Sequence, residues 1–157
     1  MSRSSPNDQK QSLYDRLGGI FAIAAVVDYF SEAILDNDLV GRESPNPFLN
    51  DWSNNHLDRL PGLKWMRTLW LASLAGGPYQ YVPTRPGRCP FGLEQAHAGL
   101  QITPREFDVV TRLLAESLQH FGVKPREAGE VLRAFVAHKS EVDGQVFCDA
   151  ARRRCPA

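Results

Sequence analysis

The spacing of apolar residues predicts helices over most of the chain. A short helix is predicted from Ser12 to Leu17, ended by the two glycines that follow it. A third helix is predicted from about Pro61 to Ala75, and the sequence Gly76-Gly77-Pro78 ends it. Between these two helices, apolar residues recur at steps of three and four, which places them on one face of a second helix: Ile20, Ile23, Val27, Phe30 and Ile34.

Two more helices have clear start signals. Thr103 provides a hydroxyl cap, Pro104 fits the first turn, and Glu106 follows three residues after the cap. Lys124-Pro125-Arg126-Glu127 opens the last helix in a similar way. The apolar members of the first of these helices, which ends at Gly122, are Phe107, Val110, Leu114, Leu118 and Phe121. Those of the last helix are Val131, Leu132, Phe135, Val136 and Val142.

Two segments interrupt the helical pattern. Residues 37–55 are rich in Asn, Asp, Ser and Pro, which predicts an irregular connection with Phe48 and Trp52 embedded in it. Residues 76–90 contain prolines that prevent a long helix. A short helix follows and carries Leu93, Ala96, His97 and Leu100 on one face. No segment alternates with period two, so the predicted fold class is all-α.

Composition and charge limit the possible functions. The length of 157 residues fits one domain, with a flexible tail at residues 1–11 and another at 144–157. Equal numbers of basic and acidic residues, 18 of each, disfavour nucleic-acid binding, which depends on excess positive charge. The chain has neither a membrane-spanning apolar stretch nor a secretory signal, so we expect a cytoplasmic protein without a membrane partner.

The three cysteines, Cys89, Cys148 and Cys155, have neither zinc-site spacing nor the C-x-x-C-H pattern of covalent haem attachment. Free thiols are therefore predicted. A Cys148–Cys155 bridge is geometrically feasible but not expected without a secretion signal.

His97 is the residue on which the functional prediction depends. It shares a helix face with Leu93 and Leu100, so its imidazole is predicted to point into the apolar core. A lone histidine on such a face is more often a hydrogen-bonded core residue than a metal ligand. However, no second metal ligand lies nearby in the sequence, and one neutral imidazole in an apolar pocket suits a cofactor that brings its own equatorial ligands, such as haem.

A series of short motifs between Ser12 and about Val142 resembles the group I truncated haemoglobins of bacteria. They are Leu13-Tyr14-Asp15-Arg16-Leu17-Gly18-Gly19, Ile23 to Leu35 with Phe30, Leu74-Ala75-Gly76-Gly77-Pro78 followed by a tyrosine, Ala96-His97, Ile102-Thr103, Phe107-Asp108 and Phe121-Gly122-Val123. The resemblance implies a truncated globin domain at residues 12–143. This domain would be a two-over-two helical sandwich around haem b, with His97 as the proximal iron ligand.

The same resemblance implies which residues contact haem and its ligand. The family usually has a tyrosine directly after the phenylalanine of the second helix, and glutamines in the third helix. Here Ser31, Leu63 and Arg67 stand at those distal positions. Tyr29 lies about 200° around the helix from Ser31 and is not expected to substitute. The implied haem contacts are Phe30, Leu63, Met66, Trp70, Leu71, Leu93, Phe107 and Val110.

Arg67 and His138 each have two interpretations. The Arg67 guanidinium either donates to oxygen, peroxide or another anionic ligand, or extends to a haem propionate or solvent. The second is favoured because an unpaired buried arginine is costly. His138 stands near a position where a few relatives join a histidine to a haem vinyl group, although a surface or hydrogen-bonded histidine is favoured.

The resemblance therefore implies a globin that binds oxygen, nitric oxide or carbon monoxide, for oxygen transport or nitric oxide detoxification. An electron-donating reductase and a monomer or weak homo-oligomer are expected. One alternative is a peroxidase-like enzyme in which Arg67 acts catalytically by polarising an O–O bond. Another is a haem-free helical interaction module in which His97 is a core residue.

Overall fold

The computed structural model describes residues 11–79 and 97–143, and all regular secondary structure in these two ranges is helical. The all-α prediction is therefore confirmed. A 3-10 helix, Leu57–Arg59, lies between the third and fourth α-helices, and His97 and Ala98 are also helical. The α-helices bounded within the described ranges are α1 (Leu13–Arg16), α2 (Gly19–Leu35), α3 (Pro47–Asn55), α4 (Leu60–Leu74), α5 (Pro104–His120), α6 (Pro125–Val136) and α7 (Lys139–Val142).

Helix α5 starts with the cap that the sequence predicts, whereas no side chain caps the start of α6. Thr103 Oγ1 accepts a hydrogen bond from the backbone N–H of Glu106 at 3.2 Å, and the Glu106 carboxylate accepts one from the Thr103 N–H at 2.9 Å. This reciprocal pair is a capping box, which satisfies two backbone donors at the start of α5. Gly18 has a φ of +98°, a conformation that residues with a Cβ rarely adopt. It therefore permits the sharp turn between α1 and α2.

Helix α2 is the centre of the core, because it packs against both α4 and α5, while α6 packs on α5. Its buried stripe faces Leu71 of α4, Leu114 of α5 and Val131 of α6. Each large apolar side chain that is buried in this way contributes about 1.5–3 kcal/mol to folding. The buried residues of α2 are Ile23, Val26, Val27, Phe30, Ser31 and Leu35.

Two predictions about the helices are wrong. Part of the segment predicted to be irregular, Pro47–Asn55, forms α3. Asn46 Oδ1 caps this helix by accepting hydrogen bonds from the N–H groups of Phe48 and Leu49, and the proline at the first position is already suited to helical φ. The last helix does not continue to Val142. The His138 N–H bonds the carbonyl of Phe135 at 3.1 Å, so the regular pattern of bonds to the fourth preceding residue stops before α7 begins.

The structure describes some, but not all, of the other residues named in the sequence-based predictions. Phe121 lies just beyond α5 and is 45% exposed, so it is not an inward-facing helix residue. Leu100 lies in a turn after the helical His97, and its N–H donates to the His97 carbonyl at 2.9 Å. Leu93, Ala96 and the three cysteines lie outside the described residues. Within the described ranges, no helix combines the length and apolar character that crossing a bilayer requires.

Candidate functional site

One face of α4 carries most of the predicted distal and haem-contacting residues. Four residues follow one another along this face at steps of one to four positions: Leu63, Arg67, Trp70 and Leu71. Leu71 is buried, and the other three are half-buried. Met66 lies at the edge of the face and is 41% exposed. Since α4 packs against α2, the face lies close to Phe30 and Ser31.

The Arg67 guanidinium is directed at α2. Its Nη1 donates a hydrogen bond to Ser31 Oγ at 2.9 Å, and its central carbon lies 5.7 Å from the centre of the Phe30 ring. Both Ser31 and Phe30 are buried. An aromatic face and a neutral hydroxyl each stabilise a cation, although more weakly than a carboxylate does.

No carboxylate within the described ranges pairs with Arg67. Burial therefore lowers the pKa of Arg67 to about 10. The guanidinium is still protonated at neutral pH. Whether it meets a small ligand or a haem propionate stays a prediction, but its side chain turns towards Ser31 and does not extend into solvent.

Tyr29 lies away from this group, as the helical geometry of α2 predicts. It is 41% exposed, and its ring stacks on His120 with the ring centres 4.1 Å apart. Phe121 meets the Tyr29 ring edge-on at 5.9 Å. Tyr29 therefore does not replace the tyrosine that the family has at the position of Ser31.

An aromatic cluster adjoins the face of α4. The rings of Phe107 and Phe135 stack with their centres 5.3 Å apart, and Trp70 meets Phe135 edge-on at 6.0 Å. His138 lies 5.3 Å from Trp70 and is held by Glu141, whose Oε2 is 2.6 Å from the His138 Nδ1. Val110 also packs against the core from α5. Helical spacing makes core packing the default interpretation for Phe135, and in a haem protein core packing and cofactor contact coincide.

His97 is half-buried, at the point where the described chain resumes. The segment after it is tied to α3 by Asn46, whose Nδ2 donates to the Leu100 carbonyl at 3.0 Å and to Glu106 Oε2 at 3.2 Å. Gln101, within this segment, has a left-handed φ of +46°. The spacing of apolar residues does not single out Asn46. The Asn46-Pro47 pair, a helix start signal, could have drawn attention to it.

These side chains fit a haem group. Flat aromatic and aliphatic walls suit a porphyrin, and His97 contributes a half-buried imidazole. No cluster of three or more His, Cys, Asp or Glu in the described ranges could hold a bare metal ion. A single imidazole suits a metal that arrives with its own equatorial ligands.

An apolar cavity of about 160 Å³ lies beside this group of residues. Leu71 belongs both to this face of α4 and to the lining of the cavity. Aliphatic residues of α1, α2, α4 and α6 form most of the remaining lining, together with Leu118, Phe121 and Val123. None of the residues that line it is polar. The candidate chemistry therefore lies on the side of Ser31 and Arg67, not in this cavity.

Comparison with known proteins agrees with this geometry. The bacterial-like globin family matches residues 12–143. The group 1 truncated hemoglobin GlbN of Mycolicibacterium paratuberculosis is 29% identical over 132 residues, which cover 83% of this chain and 83% of that protein. A group 1 truncated hemoglobin of Tetrahymena pyriformis is 23% identical over 138 residues, which cover 88% of this chain and 99% of the relative.

Solved structures show the same fold. The 2/2 hemoglobin of a Synechococcus species, in the cyanomet state with covalently attached heme, has a TM-score of 0.68 and 24% identity, covering 85% of this chain and 99% of that one. The Fe(III) truncated hemoglobin of Tetrahymena pyriformis has a TM-score of 0.67 and 23% identity, covering 84% of this chain and 97% of that one. Membership of a globin family supports the predicted haem cofactor. The chain belongs to the bacterial-like globin family, and its predicted relation to the group I truncated haemoglobins is confirmed.

Proposed function

We propose that the protein is a haem globin that binds a small ligand such as oxygen, nitric oxide or carbon monoxide, with His97 as the proximal iron ligand. The observation that carries this proposal is the Ser31–Arg67 pair, in which a half-buried guanidinium bonds a buried hydroxyl on an otherwise apolar face. Ligand pockets of this kind are mostly apolar with a few convergent polar groups. Haem b, when bound, supplies an iron coordination position for the ligand.

The chain's own residues have distinct tasks in this proposal. Phe30, Leu71 and Phe107 are buried and would exclude water from the cofactor. Trp70 and Val110 would pack against the porphyrin. The remaining proposed contacts are Leu63, Met66 at the exposed edge, and Leu93, which lies outside the described residues.

The visible spectrum of the purified protein tests the proposal. We expect a Soret band in the native protein. His97→Ala is expected to lose haem or to regain a native-like spectrum with added imidazole, whereas His120→Ala, which alters a histidine stacked on Tyr29, is expected to keep it. An unchanged spectrum in His97→Ala would contradict the ligand assignment. A native protein without a Soret band would favour the haem-free interaction module.

Nitric oxide detoxification is the activity we propose for this site. Oxidation of nitric oxide by oxygen to nitrate requires one electron per turnover, which a reductase would supply. We propose a cytoplasmic protein that is monomeric or weakly associating. Nitric oxide consumption by the reduced, oxygenated protein, followed with a nitric oxide electrode, tests this activity. Consumption no faster than that of the apoprotein would contradict it.

A peroxidase-like activity is the second candidate, favoured by the absence of a carboxylate partner for Arg67 among the described residues. A guanidinium there would polarise an O–O bond through charged hydrogen bonds. Peroxide turnover and the oxygen dissociation rate of Arg67→Ala separate the two candidates. If neither rate changes, Arg67 has no part in either activity.

A further inference from the structure

The pocket face of α4 carries a cation that no anionic group of the described chain neutralises. Arg67 donates one hydrogen bond, from Nη1 to Ser31 Oγ. Within residues 11–79 and 97–143, its guanidinium makes no other hydrogen bond and no ion pair. A guanidinium carries several N–H donors in a fixed fork. The remaining donors are therefore available to a ligand beside Phe30 and Ser31.

Both acidic residues of α2 are already paired. Lys64, one turn before Arg67 on α4, donates to Asp28 at 2.7 Å and to Glu32 at 2.6 Å. These carboxylates are largely exposed, with side-chain exposures of 67% and 49%. Because these carboxylates are paired with Lys64, α2 supplies no counter-charge for Arg67.

Ser31 adds a second donor at the same place. Its oxygen accepts from Arg67, and its own O–H proton has no acceptor in the part of the chain that the structure describes. The hydroxyl both fixes the direction of the guanidinium and presents a proton of its own. A small anion next to this pair would therefore receive hydrogen bonds from both residues.

We propose that the pocket of this globin is selective for small monovalent inorganic anions, such as fluoride, azide and nitrite, which Arg67 and Ser31 bind together. This inference rests on the proposed function, because the anion would bind in the pocket of a haem that His97 would hold. Charged hydrogen bonds are roughly twice as strong as neutral ones, and exclusion of water strengthens them further. Carbon monoxide, which carries no net charge, gains little from the same donors.

Anion titrations of the ferric holoprotein, followed by absorbance, test this selectivity. We expect Arg67→Leu to raise the Kd of fluoride and azide by about 10- to 100-fold, the range that corresponds to loss of a charged hydrogen bond. Arg67→Lys should retain part of the affinity, and Ser31→Ala should lose less than Arg67→Leu. Arg42→Leu is the matched control, because the Arg42 side chain is 42% exposed and pairs with Asp36 of the α2 C-terminus.

Carbon monoxide affinity of the ferrous protein separates loss of the anion site from general damage to the pocket. We expect Arg67→Leu to lose at least about tenfold more fluoride affinity than carbon monoxide affinity, because a charged donor strengthens binding of an anion more than binding of a neutral ligand. Fluoride should also raise the Tm of the native ferric protein and not that of Arg67→Leu. Equal fluoride Kd values in the two proteins would overturn the proposal, and so would equal losses of fluoride and carbon monoxide affinity.

The proposed function and this inference fail in different ways. A native protein with no Soret band overturns both. A protein with a normal Soret band and an imidazole-rescued His97→Ala variant supports the proposed function. If Arg67→Leu then leaves the anion Kd unchanged, only the anion selectivity is overturned.

Discussion

At the scale of single residues, Arg67 combines function with a cost in stability. Burial favours the neutral form of the guanidinium, which is why its pKa falls to about 10. At pH 7 the group is nevertheless charged in both the folded and the unfolded chain. The free energy of unfolding is therefore lower than it would be without this burial, by roughly 2–3 kcal/mol. This penalty would decrease only as the pH rises above about 10.

We predict that Arg67→Leu raises the free energy of unfolding at pH 7 by about 1–2 kcal/mol, because it replaces a half-buried cation that has no carboxylate partner among the described residues with an apolar side chain. Urea unfolding of the apoprotein and of the ferric holoprotein measures the change. Arg42→Leu serves as the control and should change stability by less than about 0.5 kcal/mol. A less stable Arg67→Leu holoprotein would mean that Arg67 has an anionic partner, such as a haem propionate.

A second residue-scale prediction concerns two glycines. A Cβ at Gly41 would overlap the carbonyl oxygens of Ile34 and Leu35, whereas one at Gly62, inside α4, would have no neighbour within 4 Å. We therefore expect Gly41→Ala to lower the free energy of unfolding by more than about 2 kcal/mol, since backbone must move. Gly62→Ala should raise it by about 0.5–1 kcal/mol through helix propensity. Thermal unfolding measures both, and similar effects at the two sites would contradict the prediction.

Helical spacing predicts which residues of α2 and α4 lie on the pocket side, and Phe30, Ser31 and Arg67 do lie together. It does not predict the direction of the Arg67 guanidinium. The long arginine side chain can reach either α2 or solvent, and the choice depends on the neighbouring Ser31 and on the absence of a carboxylate partner among the described residues. Such choices depend on contacts between helices, which a spacing pattern does not contain.

At the scale of the helices, Asn46 joins three elements. Its Oδ1 caps α3, and its Nδ2 bonds both the Leu100 carbonyl and Glu106 at the start of α5. We predict that Asn46→Ala lowers the free energy of unfolding by about 1–3 kcal/mol, from the lost cap and the lost hydrogen bonds. Because Leu100 follows His97 by one turn, haem dissociation should also become faster.

Hydrogen exchange and haem transfer to apomyoglobin measure these two effects. Exchange should increase at the starts of both α3 and α5, since both lose a bond to Asn46. Asn55→Ala is the matched control, because the Asn55 side chain bonds only the exposed Asp51 within the described chain. Equal haem dissociation rates in the two variants would show that Asn46 does not support the segment that follows His97.

The same helices show how far a sequence pattern predicts elements. The capping box at Thr103 and Glu106 predicts the start of α5 because all of its interactions are local. Helix α3 is not predicted, because residues 47–55 are mostly polar. Its only buried residue is Ser53, so the segment has no apolar stripe. The end of α6 depends on the turn at His138, where packing against Trp70 and pairing with Glu141 replace the expected continuation.

At the scale of the whole molecule, one ion-pair group joins the two ends of the described chain. Arg16 of α1 bonds Glu127 of α6 at 2.8 Å and Glu130 at 2.7 Å, across more than a hundred residues. No local pattern predicts a contact at this separation. The overall fold was nevertheless predicted, because the order of several short motifs resembles a known family more specifically than any one of them does.

This ion-pair group predicts the acid sensitivity of the fold. Hydrogen bonds from Arg16 lower the pKa of both Glu127 and Glu130. A carboxyl group whose folded pKa is depressed stabilises the protein above its unfolded pKa of about 4.3, and this stability is lost as the pH falls through the folded value. We therefore predict that Arg16→Leu is less stable than the native protein at pH 7 and that the difference decreases at pH 4 and below.

Thermal unfolding of both proteins from pH 7 to pH 3 measures this dependence. Arg126→Leu is the matched control. Arg126 also faces Glu130, but at 3.6 Å and with 59% of its side chain exposed, so its loss should change the Tm little at any pH. A constant Tm difference between Arg16→Leu and the native protein across this range would assign the effect to packing. A Tm difference that decreases towards pH 3 would assign the effect to Glu127 and Glu130, because only their protonation removes the partner charges of Arg16.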